Sequence, residues 1–271
     1  MSDIVLTAGV RQNLLSLQNT ASLLNQTQDR LATGRKVNSA LDNPISYFTA
    51  QALNGRANDL SGLLDAASNA VQTVQAANQG ITSIQKLVDS AKSLANQALA
   101  SSDTTTRSGL ATQFNALLTQ IDQLAGDSGY NGINLLNGDN LTVNFNENGS
   151  SSLTISGVTD KTANALNIAG AAGSWATNAN VNTALTALNT ATTTLSSQAA
   201  QFGSTLTVVQ TRQDFTKNLI NTLQTGADNL TLADTNLEGA NLTALQTRQQ
   251  LSIVALSLAS QSNQAVLRLF G

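Results

Sequence analysis

The side chains that most enzymes use for proton transfer and nucleophilic attack are scarce in this chain. It contains no His and no Cys, which removes imidazole bases, thiolate nucleophiles and the commonest zinc ligands. The 16 Asp and Glu residues are spread along what we expect to be exposed helix positions, where a carboxylate is more often solvated than paired as in a glycosidase. We therefore expect no enzyme activity and no catalytic residues.

Ligand-binding motifs are also missing from the sequence. Gly80, Gly126 and Gly138 do not have the spacing of a phosphate-binding loop. Asp139 and Glu147 could each touch a cation, but two separated carboxylates do not make a calcium loop. We expect no cofactor and no bound metal.

Two polar segments, residues 30–44 and 232–240, interrupt long amphipathic stretches. The first is basic and the second acidic. The simpler interpretation is two capped turns between helices, because a Gly and an Asn-Pro pair are ordinary helix-ending and helix-starting signals. The alternative is a paired hinge between a helical rod and a terminal helix pair, formed by Gly34, Arg35, Asp42, Asn43, Pro44, Asp234 and Glu238.

The overall composition favours helices that pack closely. Hydrophobic residues make up 41% and aromatic residues 3% of the chain, and Pro occurs once. Ala and Leu are abundant, and both suit thin helices at a short distance from each other. The net charge is −3 with no basic cluster, which argues against nucleic-acid binding.

No segment has the pattern of a membrane span or of a cleavable secretory signal. The N-terminus lacks a basic stretch followed by an apolar run. Residues 249–267 form the longest charge-free stretch near the C-terminus, but its Gln, Ser and Asn side chains would be costly inside a bilayer. We expect no membrane insertion.

Three apolar stripes with helical spacing lie in the middle of the chain. From Val181 to Leu223 the steps alternate between four and three residues, and ten of the thirteen positions are apolar. A spacing of 3.5 residues is the repeat of a left-handed coiled coil. A matching stripe runs from Ala67 to Ala98, and a shorter one from Leu110 to Leu124. They predict an elongated, mainly α-helical rod with a long helix over residues 44–100.

Between Tyr130 and Val158 the period changes to two. Apolar residues alternate with polar ones on both sides of Asn148-Gly149, a dipeptide that favours a tight turn. This pattern predicts a small β-hairpin at about residues 133–158. Residues 159–180 are small and polar, and we expect a short connection there, mainly loop with at most a short helix.

The two ends of the chain have apolar surface without an obvious partner beyond each other. The C-terminal apolar residues are spread over more than one helical face, and such a helix needs neighbours on several sides. We expect packing in the inner core of an assembly by Leu14, Leu17, Leu24, Leu31, Leu251, Val254, Leu258, Val266 and Leu269.

At these residues the chain resembles bacterial flagellin, specifically the short alphaproteobacterial kind without large variable outer domains. Residues 30–44 are similar to the family segment R-L-S-S-G-x-R-I-N-S-A-x-D-D, with Asn43-Pro44 where many members have Asp-Ala. Tyr130-Asn131-Gly132 resembles the F-N-G turn of the family. Residues 232–240 and the end of the chain, Leu-Arg-Leu-Phe-Gly, resemble its C-terminal signature.

The resemblance implies a structural subunit that polymerises into the extracellular flagellar filament and gives motility. Residues 1–43 and 232–271 would form a terminal helix pair in the filament inner core. Residues 44–231 would form a helical rod domain with the hairpin and the short connection. The implied partners are copies of the chain itself in a helical homopolymer, a flagellar export chaperone, and the cap and hook-associated proteins. Export would proceed unfolded through the flagellar type III system.

One segment departs from the family pattern. Flagellins that toll-like receptor 5 detects carry a Q-R-V-R-E-L patch, and the corresponding residues 89–94 read D-S-A-K-S-L. The first Arg and the Glu are lost, and Ser cannot make the contacts of a guanidinium. We expect weak or no activation of that receptor.

Two other classes remain open at this point. A hook–filament junction protein shares both terminal signatures but does not form filaments alone. A coiled-coil adaptor that binds partner helices predicts ordered termini and a small oligomer. Self-polymerisation of the purified protein distinguishes flagellin from both.

Overall fold

The computed structural model describes residues 8–162 and 164–270, except for the side chains of residue 263 and of residues 266–270. The described part is mainly helical, with one two-stranded antiparallel sheet, as the sequence predicted. No helix within it is long and apolar enough to cross a bilayer. In chain order the elements are α1 (Ala8–Thr33), α2 (Pro44–Ala100), α3 (Thr104–Asp127), β1 (Leu141–Asn144), β2 (Ser152–Ile155), a short 3-10 helix (Ala172–Trp175), α4 (Asn178–Thr231) and α5 (Thr235–Phe270).

Helix starts and ends follow local capping. The predicted helix over residues 44–100 is present with these bounds. The Asp103 carboxylate caps α3 by accepting hydrogen bonds from the N–H and hydroxyl of Thr106, at 2.7 and 2.6 Å. Helix α3 ends at Asp127. The amide of Asn134 donates to the carbonyls of Ala125 and Gly126, at 2.8 and 2.7 Å, and satisfies that end of the helix.

The chain divides into two compact units. One is Arg56–Asn221, here called the central unit; the other, the terminal unit, is Met1–Gly55 together with Thr222–Gly271. This division falls inside α2 and α4, whereas the sequence placed a functional boundary at residues 43/44 and 231/232. The last turns of α4 belong to the terminal unit because the link after α1 bonds to them. The functional boundary stays a prediction.

The central unit contains a continuous apolar core. All ten positions of the predicted stripe from Ala67 to Ala98 are buried. The stripe from Val181 to Leu223 alternates between buried and half-buried positions along α4. Helix α3 contributes Phe114, whose ring lies 4.7 Å from that of the buried Trp175, centroid to centroid. The three predicted stripes thus bury one another.

Helices α2 and α4 run antiparallel within the central unit. Gln213 donates to the hydroxyl of Ser68 at 3.0 Å, and Lys92 donates to the hydroxyl of Thr192 at 2.7 Å. One close approach on α2 requires glycine. A Cβ added at Gly80 would overlap the hydroxyl group of Ser128 and the side chain of Leu136.

The β-hairpin packs one face on the core. Leu141 pairs with Ile155 and Val143 with Leu153, and the side chains of Val143 and Ile155 are buried. The loop between the strands contacts both long helices. Glu147 pairs with Arg56 of α2 at 2.7 Å, and the Phe145 ring lies 5.4 Å below the guanidinium of Arg212 of α4.

The connection between the hairpin and α4 is packed more tightly than its composition suggests. Leu166, Ile168 and Trp175 are buried there, although the sequence shows no apolar period in this segment. Asp160 is buried as well, which corrects the expectation that the carboxylates occupy exposed helix positions.

Candidate self-assembly surface

Helices α1 and α5 pack together through one stripe on each helix. The covered positions of α1 span 21 residues in six steps, a spacing of 3.5. Those of α5 have the same spacing. We call these positions the seam: Val10, Asn13, Leu17, Thr20, Leu24, Thr27 and Leu31 on α1, and Glu238, Leu242, Leu245, Gln249, Ser252, Leu256 and Ala259 on α5.

The seam is unusually polar for a helix pair. The hydroxyl of the buried Thr20 donates to the Ser16 carbonyl at 2.8 Å, so that this group is satisfied within its own helix. Gln249 and Ser252 occupy half-buried seam positions on α5. Because hydroxyls and amides contribute little apolar burial, the pair alone gains less hydrophobic stabilisation than an all-leucine seam would.

Helix α5 also carries a second apolar stripe that no described residue of its unit covers. At 100° per residue, eight exposed apolar residues fall within an arc of about 100°, the width of an ordinary core-facing stripe. No charged residue falls within that arc. We call this stripe the open face: Leu237, Ala240, Ala244, Leu251, Val254, Ala255, Leu258 and Ala265.

The predicted inner-core residues therefore separate into two groups. Leu17, Leu24 and Leu31 are half-buried on the seam, and Leu14 lies beside it at 37% exposure. The remaining described ones, Leu251, Val254 and Leu258, belong to the open face and are 56–66% exposed. The side chains of Val266 and Leu269 lie outside the described residues.

The structure shows further exposed apolar residues that the sequence reasoning missed. Leu41, Ile45 and Phe48 are 96%, 80% and 58% exposed around the start of α2. Their steps of four and three residues were the available signal. Leu15 and Leu23 on α1 are also exposed, and at 100° per residue they lie about 80° apart around the helix.

The link that follows α1 is bonded to the end of α4. Gly34, with φ of +67°, ends α1 in the left-handed conformation that favours glycine. Its carbonyl accepts from the N–H of Ala233 at 3.0 Å, and the N–H of Lys36 donates to the Thr231 carbonyl at 2.8 Å. The Lys36 ammonium donates to the Asn229 carbonyl at 2.9 Å, where the C-terminal dipole of α4 favours a cation.

The predicted basic and acidic sides meet at one ion pair. Arg30 Nη1 lies 3.1 Å from Glu238 Oε1, and only 8% of the Glu238 side chain is exposed. Glu238 lies in the first turn of α5, where the helix dipole favours an anion. Arg35, which the sequence placed on the basic side, takes part instead through its backbone, in a bridge with Leu232.

The other predicted hinge residues act as caps. Asn43 Oδ1 accepts from the N–H of Ser46 at 3.0 Å, with Pro44 as the first residue of α2. Asp234 Oδ1 accepts from the N–H of Asn236 at 2.9 Å at the start of α5. The Asp42 carboxylate accepts from the backbone N–H groups of Ser39 and Asn38, which lower its pKa. These residues lie together at the ends of α1, α2, α4 and α5.

Two family models match the chain. The model described as the bacterial flagellin N-terminal helical region matches residues 7–141. The model described as the bacterial flagellin C-terminal helical region matches residues 185–270. The two matches include α1, α2, α3 and α5 and most of α4.

Similar proteins of nearly the same length include two from alphaproteobacteria. Flagellin FljO of Caulobacter vibrioides is 33% identical over 95% of this chain and 95% of its own. A flagellin of Brucella melitensis is 30% identical over 100% of this chain and 99% of its own. Among solved structures, Bacillus cereus flagellin is 20% identical with a TM-score of 0.49, over 55% of this chain and 86% of that one.

Proposed function

The chain belongs to the bacterial flagellin family of filament structural subunits, and we propose that its copies polymerise through the open face of α5. The single observation that carries this proposal is the uncharged apolar arc from Leu237 to Ala265, which the terminal unit leaves exposed. A solvated helix surface of that length without a charged residue favours contact with another apolar surface.

The energetics favour assembly over a stable isolated helix pair. Each Leu or Val side chain that moves from water into a contact between subunits contributes about 1.5–3 kcal/mol. The cost of association and of side-chain ordering is of the order of 4–15 kcal/mol. Several open-face residues buried together therefore suffice to hold a subunit in a polymer. This balance supports an inner-core role for the predicted leucines of both terminal helices.

A charge placed on the open face tests this proposal. Leu258→Asp should abolish seeded filament growth, because a carboxylate without a partner would be buried between subunits. Ser257→Asp is the matched control. It adds the same charge one residue away, at an exposed position outside the arc, and should still form filaments. Normal filaments from Leu258→Asp, seen by light scattering and electron microscopy, would refute the assignment.

Truncation provides a coarser test of the role of α5 in polymerisation. Removal of the residues after Leu242 deletes most of the open face and leaves the central unit intact. We expect a folded protein that does not polymerise. Filament growth by the truncated chain would contradict the proposed role of the terminal segments.

For the residues between α1 and α2 and before α5, we propose a hinge role in addition to capping. It is supported by the position of Gly34, Arg35, Asp42, Asn43, Pro44, Asp234 and Glu238 at the ends of four helices. On this proposal residues 1–43 and 232–271 form the filament inner core, and residues 44–231 the domain outside it.

The proposal extends to localisation and partners. The protein would be exported unfolded by the flagellar type III system with the help of a chaperone. It would then add beneath a cap protein at the tip of an extracellular filament joined to hook-associated proteins. A hook–filament junction role is less favoured, because the similar full-length proteins above are flagellins. Filament growth from purified protein would exclude the junction role.

Weak or absent activation of toll-like receptor 5 is a separate part of the proposal. Ser90 and Ser93 are exposed on α2, where the receptor-binding patch has Arg and Glu. The Lys92 ammonium donates a hydrogen bond to the hydroxyl of Thr192 at 2.7 Å. The surface therefore offers no guanidinium fork to a receptor carboxylate. A strong reporter-cell response at low protein concentration would contradict this expectation.

A further inference from the structure

Asp160 is the one carboxylate in the described central unit that is fully buried, at 0% exposure. It lies between β2 and the 3-10 helix, and its backbone N–H donates to the Leu136 carbonyl at 2.9 Å. Its side chain faces Gln198 of α4, which is 8% exposed. The amide of Gln198 donates to Asp160 Oδ1 at 2.9 Å.

The other oxygen atom of each side chain in this pair lacks a hydrogen-bond donor. Asp160 Oδ2 and Gln198 Oε1 are both buried, and neither receives a hydrogen bond in the described structure. Both atoms are acceptors if the carboxyl group is ionised. A buried acceptor without a donor has lost its hydrogen bonds to water and gained none in return, so it destabilises the closed state. One proton on Oδ2 removes both deficits, because the resulting O–H can donate to the Gln198 carbonyl oxygen while Nε2 continues to donate to Oδ1.

Among the described residues, no Lys or Arg forms an ion pair with Asp160. Lys161, the next residue, makes no ion pair with it, and the other nearby acidic groups already have donors. Asp122 of α3 accepts from the N–H of Thr162 at 2.7 Å, and Asp139 accepts from the N–H of Asn134 at 2.8 Å. On α4 the sequence has no charged residue before Arg212.

The lysines of α2 do not supply a counter-ion either. Lys92 donates to Thr192 and lies 4.0 Å from Asp89. Lys86 is exposed. Burial accordingly raises the pKa of Asp160 to about 6, and the hydrogen bond from Gln198 offsets part of that effect.

We propose that Asp160 is protonated in the folded chain at mildly acidic pH and then forms a two-hydrogen-bond acid–amide pair with Gln198, a pH-sensitive latch that holds residues 156–162 and 164–177 on α4. The latch is a property of the subunit itself and does not depend on assembly. In the ionised state neither Oδ2 nor Oε1 has a donor, so the segment opens more often.

The direction of the pH effect follows from the two states. In the open segment the carboxyl group has an ordinary pKa near 3.8, and in the closed segment its pKa is about 6. Between these values the closed state binds more protons, so its stability falls as pH rises. The stabilisation is complete below about pH 4 and lost above about pH 6, the reverse of an Asp held in a salt bridge.

Hydrogen exchange of the full-length monomer tests this proposal. The reporters are the N–H groups of Asp160, Ala165 and Ile168, which bond to Leu136, Thr159 and Thr162. Their protection factors should fall by about tenfold or more between pH 4.5 and pH 7.5. The reason is that each pKa unit by which Asp160 differs between the closed and open states changes the opening equilibrium constant by a factor of about ten. Amides of α2 near Ile84 serve as an internal reference without this dependence.

Two variants separate the latch from ordinary packing. Asp160→Asn keeps an amide that both donates and accepts, so the reporters should stay protected and lose their pH step. Asp122→Asn weakens the bond to Thr162 and should lower protection at every pH while the step remains. A pH step that persists in Asp160→Asn would overturn the proposal.

The carboxyl group can also be observed directly in the unmodified chain. The ¹³C resonance of Asp160 Cγ should titrate with a midpoint near 6. A carboxyl group that is ionised throughout pH 4.5–7.5, for example through a buried water that serves Oδ2, would refute the latch even if Asp160→Asn did not fold.

Discussion

The central unit and the terminal unit bury their apolar stripes to different extents. In the central unit every position of the α2 stripe from Ala67 to Ala98 is covered, and the large side chains of Phe114 and Trp175 are fully buried. In the terminal unit the α1–α5 seam buries Val10, Thr20 and Thr27, while α5 leaves a whole apolar face exposed. The same coiled-coil spacing thus gives a completed core in one unit and an incomplete one in the other, and we propose that other copies of the chain complete it.

Substitutions in the core of the central unit should affect folding, whereas substitutions on the open face should affect assembly. Phe114→Ala should have the largest effect on folding, about 3–5 kcal/mol of unfolding free energy, because it leaves a cavity beside Trp175. Urea denaturation followed by circular dichroism measures it. A loss below about 1 kcal/mol would mean that the central core is not tightly packed.

Gly80→Ala should be the next largest. The added Cβ would overlap the Ser128 hydroxyl and the Leu136 side chain, at a cost of about 1–3 kcal/mol. Gly62→Ala, on the same helix with no atom within 4 Å of the added Cβ, should instead stabilise the protein by about 0.4–1 kcal/mol. Equal effects of the two substitutions on thermal stability would contradict the close approach at Gly80.

Arg30→Ala examines the one described ion pair of the terminal unit. It leaves the Glu238 carboxylate, 8% exposed, without its counter-ion and should cost about 1–2 kcal/mol. The exposed Arg11 on the same helix is the control, and Arg11→Ala should change stability by less than about 0.5 kcal/mol. A double-mutant cycle with Glu238→Gln isolates the pair; zero coupling would show that the pair does not stabilise the terminal unit.

The smallest effect on the monomer is expected at the open face. Leu251→Ala should change monomer stability by less than about 0.5 kcal/mol, because the side chain is 66% exposed. It should nevertheless raise the concentration needed for filament growth. Leu256→Ala, at a seam position, should cost the monomer about 1–2 kcal/mol. If Leu251→Ala destabilised the monomer as much as Leu256→Ala does, the two faces of α5 would not differ as described.

Sequence reasoning was most successful where a regular period covers many residues. The stripe from Val181 to Leu223 and the hairpin strands follow from periods of 3.5 and 2 that tertiary packing then satisfies, and the start of α2 follows from its Asn43 cap. Trp175 and Asp160 could not be predicted as buried, because they lie in a segment without a period. Their burial depends on contacts with Phe114 and Gln198, which are distant in sequence.

At the candidate surface the sequence identified the apolar residues but not their partners. Leu258 was predicted to pack in the inner core and is 61% exposed, whereas Leu256, which was not among the predicted residues, is half-buried in the seam. Hydrophobic spacing predicts that an apolar stripe will be buried, but it does not show whether the same chain or another copy buries it. Because the seam residues Gln249 and Ser252 are polar, a search for apolar residues did not identify the face of α5 that contacts α1.

Hydrogen exchange of α5 before and after seeded assembly tests the central claim most directly. Amides of α2 between Val74 and Ala98 provide the reference, since the central core is complete in the monomer. We predict fast exchange along residues 244–265 in the free subunit and strong protection in the filament, with the reference unchanged. If those amides are already as protected in the monomer as the reference and do not change on assembly, the open face is not where subunits join.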